Sequence, residues 1–381
     1  MRVFGRAAAL FVALIALALP LAQPASAAGK VKPEECYAGI EETVARQCLL
    51  VRGRPGQPVV VLFGDSHAMR LSYGVAKVAE QHGFRLVLIS KSGCPTPTVS
   101  LYTYRGDPYP QCAKWRQSAL GLIESIRPTA VITHSTYLYG GFGMMRDSTG
   151  TPVPDESQAA IWEAGAATTL NRLREPGVPV LAIRGIPVIF DFRPVCLTPG
   201  ANHRACGAAL SDAVPQQARD FWAADSRQAQ ASGARTLDLS DRFCEDGYCS
   251  VWTKKGVARF SDGHHLTKPF AKTLYKPLAA GLQKVLPLAP SPVRSLRVTG
   301  KGRNATLRWK RPAVAGSAKV TEYRVSLMPR GSSNRRTAVT SCRTTATRCR
   351  IRERLSGDYR IRIRAISSVG ASPQLQQDHR F

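Results

Sequence analysis

The chain has 381 residues, enough for two domains, and a formal net charge of +27 at pH 7. Apart from its first residues no apolar run is long enough to cross a bilayer, which argues against a multi-span membrane protein. The charge is concentrated at one end. From Leu288 onward there are 21 Arg and Lys against 4 Asp and Glu, a balance of +17. An exported module this basic attracts anionic polymers such as wall teichoic acids, acidic glycans or lipid headgroups. Export argues against nucleic acid as the working partner.

Arg2 and Arg6 precede an apolar run from Ala7 to Leu21, and Pro24-Ala25-Ser26-Ala27 follows. A charged start, an apolar centre and an Ala-x-Ala site predict a signal peptide over 1–27 and a secreted, extracellular or wall-associated protein. The ten cysteines fit an oxidising compartment. They fall into neighbours: Cys36/Cys48, Cys94/Cys112, Cys196/Cys206, Cys244/Cys249 and Cys342/Cys349. Sequential pairing uses every cysteine, and each pair would close a short surface loop, although spacing alone leaves the connectivity open. No pair has Cys-x-x-Cys spacing, so neither a metal nor another cofactor is expected.

After a polar lead-in over 28–58, Val59-Val60-Val61-Leu62-Phe63 is a continuous, mostly β-branched run. It predicts a strand buried on both faces. Gly64 permits a sharp turn, then Asp65-Ser66-His67 precedes a helical stretch over 68–82. A serine there sits at the carboxyl edge of a sheet, beside helix-start N–H groups able to stabilise an oxyanion. Asp65 and Ser66 could equally be helix caps. Phe84 to Ile89 predicts a second strand ending in Ser92-Gly93-Cys94-Pro95. Gly93 either lets a backbone N–H approach a ligand or simply turns the chain into a disulfide loop.

A helix is expected over 115–126 and a strand over 130–133, followed by Thr133-His134-Ser135. Residues 140–155 are rich in Gly and Pro and predict a mobile loop beside the site. Helices over 158–174 and 214–232 flank a strand over 178–183, and a last parallel strand covers 236–239. Phe260-Ser261-Asp262-Gly263-His264-His265-Leu266 then places an Asp three residues before a His. In a turn that spacing lets a carboxylate orient an imidazole, which can serve as base for a distant serine. A helix over 268–285 closes the segment. Strands alternating with helices predict an α/β fold: a flavodoxin-like parallel sheet covered on both faces, with its site at the carboxyl ends of the strands.

The serine after the first core strand and the Asp/His pair before the last helix together resemble an SGNH hydrolase. The nearest likeness is to the SGNH domain linked to family 3 membrane acyltransferases, which acylate extracellular glycans. The resemblance covers roughly residues 36–285. It implies Ser66 as nucleophile, His265 as base and Asp262 as its orienting partner. It also implies an oxyanion hole from the N–H groups of Ser66 and Gly93. The asparagine that SGNH enzymes place after the third strand is absent; its place as donor is open to His134 or Ser135, or is left unfilled. His264 falls one residue off the Asp-x-x-His register, and Asp65 reads as structural.

Beyond a proline-rich linker over 287–292 the periodicity changes to two, as in Tyr359-Arg360-Ile361-Arg362-Ile363-Arg364-Ala365. This predicts an all-β sandwich over 293–381, apolar inward and arginine outward. Trp309 on an early strand and Tyr359 on a late one resemble a fibronectin type III domain. The expected organisation is therefore signal peptide 1–27, SGNH-like domain 28–286, linker 287–292 and fibronectin type III domain 293–381. The function implied is an exported O-acyl esterase or O-acyltransferase acting on acylated glycans. A transferase role would call for a separate membrane acyltransferase as partner. The alternative is a non-catalytic wall- or glycan-binding protein on the same scaffold.

Overall fold

A computed structural model describes residues 31–53, 55–141, 143–198, 206–300, 304–330 and 340–381. The expected signal peptide lies outside the described residues. The elements that build the first lobe are β1 (Tyr37–Ala38), β2 (Cys48–Val51), β3 (Val59–Gly64), α1 (Ser66–His82), β4 (Arg85–Lys91), β5 (Ser100–Leu101), α2 (Pro110–Ile126), β6 (Ala130–His134), α3 (Leu138–Gly141), β7 (Met145–Arg146), α4 (Asp155–Arg174) and β8 (Val180–Ile183). They continue with β9 (Gly207–Ala209), α5 (Leu210–Ala213), α6 (Gln216–Ser232), β10 (Arg235–Leu237), β11 (Cys244–Glu245), β12 (Tyr248–Ser250), α7 (Lys268–Thr273) and α8 (Tyr275–Leu282).

The main sheet runs β1-β4-β3-β6-β8-β10, with β2 added antiparallel to the outer edge of β4. All other pairings are parallel. Among the five core strands this is the 2-1-3-4-5 order of flavodoxin-like folds, as the alternating pattern predicted. β3 shows why its run is apolar throughout. Val60 and Leu62 face a core shared with α1, α7 and α8, and Val61 and Phe63 face a second core beneath α2, α4 and α6. The register places Tyr37, Ser90, Gly64, His134, Ile183 and Leu237 in one lateral row across six strands. Everything just after that row lies along the carboxyl edge.

Four local expectations need correction. The closing helix is two helices broken at Leu274, because Pro277 lacks an N–H and its ring would clash with the Thr273 carbonyl four residues back. The Gly/Pro-rich stretch near 145 is not a loose loop: Leu101 pairs with Met145, and Met144, Met145 and Val153 are buried. The lead-in also supplies β1 and β2, which cover the edge of β4.

The fourth correction concerns the cysteines. The pairing is sequential as expected: Cys36–Cys48, Cys94–Cys112, Cys196–Cys206, Cys244–Cys249 and Cys342–Cys349 are all bonded. They are not simple surface staples, however. Cys94 and Cys112 are both buried in the core beneath α2, so this bridge pins the loop after Gly93 to that helix. Cys196, Cys206 and Cys249 are buried in the core on the α1 side, and Cys349 is buried in the C-terminal core. A disulfide is an apolar group, and sulfur buried there adds packing to the cross-link. Cys36, Cys48, Cys244 and Cys342 are only partly buried.

The C-terminal region holds β13 (Arg294–Thr299), β14 (Thr306–Lys310), β15 (Glu322–Pro329), β16 (Thr340–Thr344), β17 (Arg348–Arg350), β18 (Asp358–Ser367), β19 (Gly370–Ala371) and β20 (Leu375–Arg380). They form a three-stranded and a five-stranded antiparallel sheet around Trp309, Tyr323, Leu327, Ile361 and Ile363, compatible with a β-sandwich. Cys342 on β16 and Cys349 on β17 belong to different sheets, so their bridge joins the two layers. The proline-rich segment is not a free tether. Leu288 is buried against the first lobe, the Ala289 carbonyl accepts from His82 Nδ1 at 2.6 Å, and Leu288 exchanges hydrogen bonds with Ser317.

Candidate active site

Gly64 ends β3 where no side chain fits, since a Cβ there would fall on the His134 carbonyl of the neighbouring strand. Asp65 is the N-cap of α1 and Ser66 is its first residue. The cap and the serine expected to be the nucleophile are thus separate residues. Asp65 is wholly buried and accepts three bonds: from the N–H of His67 at 2.9 Å, the N–H of Thr136 at 2.9 Å and the Tyr139 hydroxyl at 2.8 Å. It ties the start of α1 to the segment after β6. Burial pushes its carboxyl up, opposed by these bonds and by His134.

The Asp262–His265 turn comes to the same edge. Gly263 stands at φ +89° with its carbonyl accepting from Ile189 N–H at 2.8 Å, and a Cβ there would strike Ile189 and Phe192. Asp262 Oδ1 accepts the His265 N–H at 2.8 Å, and Asp262 Oδ2 lies 2.8 Å from His265 Nδ1. With Nδ1–H donating there, Nε2 is left as an acceptor, and it sits 2.8 Å from Ser66 Oγ. Burial pushes the Asp262 carboxyl up, but the His265 ring and backbone N–H bonds outweigh it and hold it well below the usual carboxylate range. Hydroxyl, imidazole and carboxylate thus form one continuous hydrogen-bonded chain, open to solvent on the Asp262 side. Such a chain can deprotonate the hydroxyl as it attacks an acyl carbon.

The expected oxyanion residues divide. Ser66 opens α1, where a first-turn N–H has no intrahelical partner. Gly93 follows β4 at φ +55°, three residues beyond Ser90, which pairs beside Gly64. The loop after it is held twice, by the Cys94–Cys112 bridge and by the buried Arg116, which donates to the Pro95 carbonyl at 2.9 Å. Burial lowers that guanidinium to about 10. Ser135 turns to the same loop, accepting from Thr96 N–H at 2.9 Å. His134 is buried with Nδ1 on the Ile183 carbonyl at 3.1 Å, and its Nε2 has no partner among the described residues. Burial lowers its pKa. Neither side chain is drawn into the Ser66–His265–Asp262 chain.

Two features had little or no sequence signal. Tyr37, on the short edge strand β1, lies near Ser92 and Ser66, and burial raises its hydroxyl's pKa. A tyrosine just after a disulfide cysteine in a polar lead-in carries no such hint. The second is a histidine cluster. His67 is buried, its Nε2 lies 3.1 Å from His264 Nδ1, and the His264 and His265 rings are 4.0 Å apart. Burial and the neighbouring His265 lower His264 to about 4, and burial with three imidazole neighbours holds His67 well below the usual histidine range. His264 is therefore packed between His67 and His265, although it lies off the Asp-x-x-His register. The adjacent pair His264-His265 and the residue after Ser66 were the visible signals.

A family model described as the SGNH domain (fused to AT3 domains) matches residues 35–280, more than half of the chain. The chain belongs to this SGNH family. The match spans β3, α1, the Gly93 loop and the Asp262–His265 turn. Among solved structures, the periplasmic domain of a lipopolysaccharide acetyltransferase from Salmonella ser. Paratyphi A is similar at 14% identity. It covers 60% of this chain and 85% of its own, with a TM-score of 0.42. A human fibronectin type III domain, the fourth of its protein, is similar at 21% identity over 25% of this chain and 81% of its own, with a TM-score of 0.22. Titin kinase with its flanking domains is similar at 26% identity over 24% and 17%, with a TM-score of 0.20. These structural likenesses are too distant to bear on the chemistry. No curated protein matches the chain. Five disulfides fit an oxidising compartment, and no helix among the described residues is long and apolar enough to cross a membrane.

Proposed function

We propose that this SGNH domain is an exported, serine-dependent O-acyl esterase or O-acyltransferase acting on acylated, chiefly O-acetylated, extracellular glycans. The observation that carries the reading is the pair of 2.8 Å contacts joining Ser66, His265 and Asp262. Ser66 Oγ attacks the acyl carbon as its proton passes to His265 Nε2. Asp262 keeps the imidazole in the receptive tautomer and steadies the imidazolium. The oxyanion is met by the N–H groups of Ser66 and Gly93. Collapse expels the alcohol, which takes the proton from His265, and leaves an acyl-serine. Water gives hydrolysis in the second half; a sugar hydroxyl gives transfer. The family's association with AT3 modules supports an acyl donor delivered by a separate membrane acyltransferase.

The C-terminal region is read as a fibronectin type III sandwich that holds the enzyme to an anionic wall polymer. Arg343, Arg324 and Arg364 stand directly opposite one another on β16, β15 and β18, with Arg362 and Arg360 further along β18; Glu322 pairs with Arg324 and Asp378 with Arg360, so the carboxylates offset only part of this charge. Like charges placed across strands repel one another, and a bound polyanion would relieve that cost. Screening acetylated glycans for acetate released by the wild type but not by Ser66→Ala tests the enzymatic reading. Release equal in both overturns it. A non-catalytic glycan holder is the second reading, favoured by the missing asparagine and by the diversion of Ser135 to Thr96.

A further inference from the structure

We infer that His67, His264 and His265 form a binding site for a divalent transition metal of the zinc type, and that its occupancy switches off the proposed base. The switching consequence rests on reading His265 as that base; the binding itself does not.

One ring nitrogen from each of the three histidines lies within 4.8 Å of the other two. His67 Nε2 and His264 Nδ1 face each other at 3.1 Å. Two imidazoles on one tetrahedral zinc, with bonds of about 2.0–2.1 Å, place their nitrogens about 3.3 Å apart. That pair already stands near the required edge. The third ligand is fixed by elimination. His265 Nδ1 is engaged by Asp262, so the nitrogen left is Nε2, the one facing Ser66. His264 and His265 are partly exposed, with side chains 33% and 20% accessible, which gives an ion a route in and the rings room to close. His67 is buried on α1 and supplies a fixed wall.

Three neutral imidazoles select zinc, copper, nickel or cobalt over magnesium and calcium, which prefer oxygen. Asp262, bonded to His265 Nδ1, supplies the carboxylate behind a metal-bound histidine that raises its basicity. Water completes the tetrahedron. The metal and the Ser66 proton then compete for one lone pair, so a loaded site cannot activate the serine. The sequence expectation of no metal looked to cysteine spacing and did not weigh histidines brought together by the fold.

The test uses tag-free protein and zinc ions in calorimetry, with Ser66→Ala as the reference. This variant is inactive on the proposed reading but keeps all three ligands. One zinc is expected to bind per chain in both the wild type and Ser66→Ala. His264→Gln and His265→Gln should each weaken binding at least tenfold while keeping the wild-type unfolding midpoint without metal. Magnesium should give no heat. Absence of one-to-one zinc binding, or binding unchanged in His264→Gln, overturns the site. Zinc bound with ester cleavage untouched overturns the switch alone. If no form cleaves esters, calorimetry still decides the site, and it is the enzymatic reading that fails.

Discussion

His265 Nε2 lies 2.8 Å from Ser66 Oγ, although the two residues are 199 positions apart. The contact exists because β3 ends at Gly64 and the Gly263 turn is bonded to Ile189 beyond β8. Two loops from opposite ends of the domain are therefore held at one edge by backbone bonds.

That geometry ranks the two adjacent histidines. His265→Gln should lower kcat for an aryl acetate by about 10³, because the proton acceptor is lost. His264→Gln should cost less than about tenfold, since His264 makes no contact with Ser66 among those described. Steady-state kinetics of both variants decide, and the reverse ranking would place the base on the wrong residue.

Gly263 should matter through position alone. Gly263→Ala forces a side chain into a left-handed turn and against Ile189 and Phe192. A shift of the turn by about 1 Å costs about 10² in rate. We expect kcat to fall by that order while the unfolding midpoint drops by only a few degrees. Unchanged kcat would show that the turn is not rigidly coupled to Ser66.

Asp65 should be structural rather than catalytic. Asp65→Ala strands three buried donors, each costing about 1–3 kcal/mol, so stability should fall by at least about 3 kcal/mol in denaturant unfolding. Asp65→Asn should not restore it, because the amide turns a donor toward groups that already donate. Wild-type stability in Asp65→Ala would contradict this.

Asp225 gives a pH signature. It accepts from Trp162 Nε1 at 2.9 Å, and burial raises its carboxyl to about 7 against the opposing Trp162 bond and Arg184. The folded protein thus holds a proton that the unfolded chain releases near pH 4. Its contribution is fullest at low pH and is lost as pH rises to 7. Asp225→Asn should therefore gain on the wild type progressively from pH 4 to 7 and level off above. The gain is at most about 4 kcal/mol, reduced where water reaches this half-buried side chain. An advantage that shrinks with pH would reverse the sign.

The sheet was legible because its strands are buried on both faces and read as apolar runs, Val59–Phe63 most plainly. Ser66, Asp262 and His265 stood out because Gly-Asp-Ser-His and Asp-x-x-His are short local patterns that a turn must present. Other features depend on tertiary neighbours. Tyr37 reaches the site only because a two-residue strand pairs with Ser90 and Lys91. His134 and Ser135 fell at the right edge, yet the Ile183 carbonyl engages His134 Nδ1 and the Thr96 N–H turns the Ser135 hydroxyl to the neighbouring loop. The sequential pairing holds, although spacing left it open, and spacing could not report that Cys112, Cys206, Cys249 and Cys349 sit in three different cores. The His67–His264 contact joins residues 197 apart, and no periodicity reports it. The proline-rich segment looked like a tether, whereas Leu288 and Ala289 are held by the first lobe.

Fluorophosphonate labelling followed by peptide mass mapping asks most directly whether Ser66 is an activated nucleophile. We expect a single adduct on Ser66 of the folded protein, lost in His265→Gln. A folded wild type that takes no label, or a label on Ser66 indifferent to His265→Gln, would contradict the proposed chemistry.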